Sequence, residues 1–451
     1  MLVQEQFAIS GIPMQYAQPG KTTASPRPVS APLQERLSMI HKFAFRRLTS
    51  RGIVSRAAMA LALAGGALVA TSAQAQDYSR GFRSAYAPVA EMTSGETPDW
   101  AGARDKFDSV LAAISNDDDR NAAGNLALMI GNNLNDPAWQ RRGLELMLQS
   151  GKVEPERIGQ FQFFVGNLAY NAKDFAAART ALTAALAAGY TENDPQGLII
   201  ETYLQEDDVA GAVAYIEQLQ PEFAAAGRTI PVTWIERTLG AAYSNDMYDE
   251  SIALSKALVQ ADPSSGGWLK SLQVVGAIRQ LDPQVELDLL RLMRETKALS
   301  NRAEYVRYIE ALDPRIMSNE VLPVLNEAAA AGLIDTGDNY YVEVKSIADS
   351  RASSDRSNPD ATFSEGQSGD ALDAMGSANV LWSIGDFARA ETLYQAAADK
   401  GGDVNEAMTR KGMAQVKQGK YAEAIETLGQ VTGPRKPVAE MWALYAQQQA
   451  G

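Results

Sequence analysis

From about Asp99 to the C-terminus, Ala, Leu, Ile and Val return every three or four residues, and Asn, Asp, Gly and Pro interrupt them at short intervals. That spacing gathers apolar side chains on one face of a helix, so the pattern predicts helix after helix, short turns and scarcely any strand. A phrase recurs at the turns: a capping residue, then an aromatic or apolar one, then a small residue three positions on. It reads Asp99-Trp100 with Ala103, Asp174-Phe175 with Ala178, and Asp208-Val209 with Ala212. Met247-Tyr248 with Ser251, Asp386-Phe387 with Ala390 and Lys420-Tyr421 with Ala424 follow. Phe175 to Val209 and Phe387 to Tyr421 are shifts of 34 residues, whereas Val209 to Tyr248 is 39. Thirty-four residues is the length of a helical-hairpin repeat unit, and the drift predicts lengthened or degenerate units in the middle.

Each position of the phrase has a packing reason. The acidic residue caps the second helix of a pair by accepting bonds from N–H groups that lack a partner inside the helix. The aromatic closes the turn over the core, and the small residue lets two helices approach closely. Gly166 and Gly412, twelve residues before Ala178 and Ala424, place a second small residue on the facing helix. Asp262-Pro263 ends a second helix as Pro usually does.

These residues resemble the tetratricopeptide repeat. Residues 371–404 match through Gly385, Asp386, Phe387, Ala390, Tyr394 and Ala397, and 405–438 through Gly412, Gly419, Tyr421, Ala424 and Leu428. Residues 159–192 match through Gly166, Asp174, Phe175, Ala178, Leu182 and Ala185; 193–226 and 229–263 are weaker, and 93–151 is only compatible. The resemblance implies an all-α fold, a right-handed solenoid of stacked antiparallel helix pairs. An N-terminal array over 76–350 is expected, degenerate after about 264, where Asp282-Pro283, Asp313-Pro314 and Gly332 mark boundaries between helices. The Ser/Asp/Gly-rich stretch 351–370 reads as a linker or loop, and 371–451 as a C-terminal repeat pair whose last helix, Pro437 to Gln449, covers the end of the stack.

The first 75 residues belong to a different pattern. Residues 1–38, rich in Gln, Pro and Ser, read as a disordered extension, and Met39 opens a complete series that offers an alternative start of translation. Lys42, Arg46, Arg47, Arg51 and Arg56 precede a 14-residue apolar run, Ala57 to Ala70, and Ala73-Gln74-Ala75 follows. That order is a secretory signal, residues 39–75, cleaved after Ala75; the run is short for a bilayer span. The residues flanking Arg46-Arg47 fit a twin-arginine signal poorly, which favours the ordinary export route. The expected location is the periplasm or the medium beyond it, with no stable membrane insertion after cleavage.

Export changes the available chemistry. His41, the only histidine, lies in the signal, and the chain has no cysteine. Catalysis through His or Cys, the usual zinc sites and disulfides are therefore excluded from the mature chain. Residues 76–451 carry 33 basic and 53 acidic side chains, a net charge of −20, which repels nucleic acid and anionic lipid. No phosphate loop, metal cluster or cofactor motif stands out. Asp117-Asp118-Asp119 lacks the glycine and distal glutamate of a calcium loop and reads as a capped turn.

A non-enzymatic scaffold for a protein or peptide partner in the cell envelope is thus the expectation. By the resemblance, the first helices present Phe163, Asn167, Tyr170 and Asn171 in one unit and Glu201 in the next, with Met375, Asn379 and Trp382 nearer the C-terminus. Core packing competes with groove contact for Phe163, Tyr170 and Trp382, because aromatics at helical spacing are usually buried. Some members of the family grip a terminal carboxylate; Asn167 fits that pattern, but Phe163 stands where a lysine is needed. Two alternatives remain: a glycan-processing enzyme using two carboxylates, and a structural subunit of an envelope complex.

Overall fold

Twenty-one α-helices and no strand occupy residues 77–451, the part of the chain that the computed structural model describes. The extension over 1–38, the signal over 39–75 and His41 lie outside the described residues. In order, the helices are α1 (Arg80–Met92), α2 (Trp100–Ala112), α3 (Asp117–Leu134), α4 (Pro137–Gln149), α5 (Pro155–Asn171), α6 (Phe175–Ala187) and α7 (Pro195–Gln205). Then come α8 (Val209–Ala225), α9 (Val232–Ser244), α10 (Tyr248–Ala261), α11 (Ser265–Ala277), α12 (Pro283–Glu295), α13 (Arg302–Leu312) and α14 (Ser318–Ala330). The last are α15 (Asn339–Ser357), α16 (Pro359–Ser368), α17 (Ala371–Ser383), α18 (Phe387–Asp399), α19 (Val404–Lys417), α20 (Tyr421–Gly429) and α21 (Lys436–Ala450).

The turn inside each pair is built the same way even where the sequence phrase fades. Lys173, Asp207, Asp246, Gly385 and Gly419 all take a left-handed backbone, with φ of 62°, 57°, 55°, 86° and 75°. The next residue in each case sends its N–H back to a carbonyl five residues earlier: Asp174 to Ala169, Asp208 to Tyr203, Met247 to Ala242, Asp386 to Leu381 and Lys420 to Gln415. This is the bonding that closes a helix end through a left-handed residue. Asp99, Asp174, Asp208 and Asp386 then cap the following helix, accepting from the N–H of Gly102, Ala177, Gly211 and Arg389. Met247 and Lys420 form no side-chain cap.

Small residues bring the paired helices together. A Cβ built on Gly166 would lie 2.7 Å from Leu182, and one on Gly412 would lie 2.5 Å from Leu428. Ala178, Ala390 and Ala424 are fully buried. Neighbouring helices lie against each other along the stack, and helices two apart, such as α7 and α9 or α16 and α18, also touch. This is a solenoid of helix pairs in which each unit buries its apolar stripe on the next.

Residues 351–370 depart from expectation: they are not a loop but the end of α15 and all of α16. Val344, Ala348 and Ala352, four residues apart, form a buried stripe hidden in a polar sequence. Several hydroxyls there bond back to carbonyls four residues earlier, among them Ser357 to Ser353 and Ser364 to Asp360, and Pro359 sits at the start of α16, where it costs no hydrogen bond. The triple aspartate opens α3 behind the cap Asn116, as a capped turn should. Buried Asp119 accepts from the N–H groups of Ser79 and Ser115 at 3.0 Å each. Burial alone would raise its pKa, but those bonds outweigh it and hold the carboxyl below its ordinary value.

The terminal helix α21 does more than cover the last repeat. It also packs against α10 and α12, so the C-terminal pairs meet the middle of the array. Lys256 pairs with Glu440 at 3.0 Å, Lys417 with Glu295 at 2.7 Å, and the Trp268 indole N–H donates to Gln448 at 3.3 Å.

Candidate functional site

On the first helices of the N-terminal pairs, α5, α7, α9 and α11 contribute a line of polar groups. Asn171 donates to the Asn167 side-chain oxygen at 2.9 Å, and Gln205 to the Glu201 carboxylate at 2.8 Å. The other oxygen of Glu201 pairs with Arg237 of α9, and Glu236 pairs with Lys270 of α11. Tyr170 sits half-buried against Phe175; its own burial, and then the nearby Glu201 charge, push the phenol up to about 12. Asn171, Gln205 and Arg237 are exposed, so amide and guanidinium groups face solvent from three successive units. Such groups bond to peptide backbone, and their partners already hold them in place.

Phe163 does not join that face. Only 3% exposed, it packs with Leu182, Ala185 and Ile199 and against the Tyr190 ring at 5.2 Å, so it is a core residue rather than a groove residue. Asn167 and Glu201 are also largely buried, and they support Asn171, Gln205 and Arg237 from beneath.

The C-terminal candidates Met375, Asn379 and Trp382 come together, but over the protein's own helix α12. Arg410 of α19 reaches Asp288 at 3.2 Å, Asn379 at 3.3 Å and Gln284 at 2.6 Å, and its guanidinium lies 3.9 Å from the Met375 sulfur. Arg435 holds the second Asp288 oxygen at 2.6 Å, and the Trp442 indole donates to the Asp288 carbonyl at 2.9 Å. Trp382 is buried, with the Arg291 guanidinium 4.9 Å from its ring centre. The face expected to be open in this pair is therefore closed by α12, and these three residues are corrected from partner contacts to internal ones. Sequence reading missed Asp288, Arg291, Glu320, Arg410 and Arg435, all buried. A signal was present: Asp288 and Arg291 interrupt the apolar run Leu287 to Met293, three residues apart on one helix face.

Arg291 forms a two-pronged pair with Glu320 at 2.9 and 2.7 Å, and the Tyr308 hydroxyl donates to the same carboxylate at 2.8 Å. Burial pushes the Glu320 pKa up, but the Arg291 charge and these bonds more than reverse it, and the carboxyl stays ionised below its usual range. It is a counter-ion, held by a fixed cation.

Residues 375–435 match the family model described as Tetratricopeptide repeat. No curated protein matches the chain. Among solved structures, one described as "Structure of Naa15/Naa10 bound to HypK-THB" is 11% identical, covers 93% of this chain and 73% of its own, and superposes with a TM-score of 0.25.

Proposed function

We propose that the protein is an exported, non-enzymatic interaction scaffold that holds an extended segment of a cell-envelope protein along the first-helix face of its N-terminal pairs. One observation carries this reading. Two faces share the same architecture, and the C-terminal one is filled by α12 while the N-terminal one leaves Asn171, Gln205 and Arg237 exposed. A face whose side chains are already hydrogen-bonded loses little freedom when a partner docks, and amides suit recognition of peptide backbone. The repeat match over 375–435 supports the scaffold class. Export rests on the signal pattern over 39–75, and location in the bacterial periplasm follows from it.

The carboxylate-enzyme alternative gains nothing from this geometry. Glu320 is locked to Arg291 with its pKa lowered, where a general acid needs a raised one, and Glu295 is paired with Lys417.

The test uses tagged protein recovered from the periplasmic fraction, whose N-terminus should be Gln76. Proteins captured with the wild type should be lost from an Asn171→Ala/Gln205→Ala variant and kept by Glu217→Ala, an exposed position on the second-helix side. An unchanged capture pattern in the double variant, or protein found only in the cytosol with its N-terminus intact, would contradict the proposal.

A further inference from the structure

Residues of α12, α13, α14, α15, α17, α18 and α19 line a half-open cavity of about 240 Å³ that the proposed partner face does not touch. Its polar wall has an uneven account. Arg291 is committed to Glu320 and Asp288, Arg294 to Glu327, and Lys417 to Glu295. Arg356, at the end of α15, also lines the cavity and forms no ion pair with the described residues. One cation of the lining, exposed at the rim, thus has no carboxylate partner among the described residues. Ser383, in the same wall, accepts the Glu320 backbone N–H at 3.0 Å, which leaves its own hydrogen to donate.

Aromatic and aliphatic groups line the cavity as well, beside the Arg291 and Lys417 cations that lie over the Trp382 and Phe387 rings. Trp382 and Phe387 meet edge to face at 5.0 Å, and Pro323 and Ile384 extend that surface. The volume lies below the roughly 300–1,000 Å³ of ordinary ligand pockets, at about eight water volumes of roughly 30 Å³ each. An occupant is therefore the size of one small molecule. Charge sets its class further: a single free cation balances a monoanion, and guanidinium matches the planar carboxylate with paired hydrogen bonds.

We propose that this cavity binds a small organic carboxylate with an apolar body, its carboxylate held by Arg356 with help from Ser383 and its body laid on Trp382 and Phe387. The site is independent of the partner face, so either can fail without the other.

The probe is 3-phenylpropionate, titrated into the full mature protein and followed by tryptophan fluorescence and by heat. A saturable signal is expected. The neutral 3-phenylpropionamide and inorganic phosphate should each bind at least tenfold more weakly, the first for want of charge and the second for want of an apolar body. Arg356 is exposed, so Arg356→Gln leaves the fold intact and should weaken binding at least tenfold. Trp382→Phe should remove the fluorescence change while the heat remains. No saturable heat, equal binding of the amide or of phosphate, or unchanged affinity in Arg356→Gln would each overturn the proposal.

Discussion

Glu320 concentrates the chemistry of the closed end in one side chain. Its ordinary pKa of 4.5 is lowered in the folded protein, because Arg291, Tyr308 and Trp382 favour the charged form more than burial penalises it. A carboxyl depressed by folding stabilises the protein fully above its unfolded pKa, and that contribution is lost as pH falls through the folded one. Unfolding by urea should therefore become easier as pH drops below about 4.5. Glu320→Gln should flatten part of that acid dependence, although Asp119 and Glu391, also lowered, will keep some of it. At pH 7 the same substitution leaves Arg291 buried without its main partner, at a cost of about 3–5 kcal/mol. A variant as stable as the wild type at pH 7, with an unaltered acid profile, would show that this pair contributes nothing.

At the scale of the element, the pairs depend on glycine where two helices touch and not elsewhere. Gly412→Ala drives a Cβ to 2.5 Å from the buried Leu428 side chain, so that side chain or the two helices must give way, at a cost of about 1–3 kcal/mol. Gly376 is an exposed residue inside α17 with nothing within 4 Å of its Cβ position. Gly376→Ala should instead stabilise by about 0.5–1 kcal/mol, the helix propensity of Ala over Gly. Thermal melts of the two variants should move in opposite directions; equal shifts would remove the close-approach argument. The contact at Gly412 was legible in the sequence because its spacing from Ala424 repeats that of Gly166 from Ala178. The helices over 351–370 were not: in α15 three small or branched residues, Val344, Ala348 and Ala352, bury one narrow stripe while Ser and Asp cover the rest, and in α16 only Gly366 is buried. Composition registers the wide polar face and misses the narrow apolar one.

For the molecule as a whole, the legible part was the stack and the illegible part was its closure. Periodicity reports what each helix buries against its sequence neighbours, and α10 and α12 meet α21 from more than 140 positions away. Trp382 and Asn379 were therefore placed on the correct helix, yet what covers them depends on a contact no local pattern encodes. Phe163 shows the same limit in reverse, since its helix position is shared by core and groove residues alike. The central claim is that α12 fills the C-terminal face and leaves the N-terminal face as the available one. Zero-length carbodiimide coupling followed by mass spectrometry tests it without any substitution, because it joins only amines and carboxylates already in contact. Cross-linked peptides joining Lys417 to Glu295 and Lys256 to Glu440 are predicted, alongside the local pair Lys345 to Asp349 as a positive control. Coupling of the local pair with neither long-range product would contradict the closure.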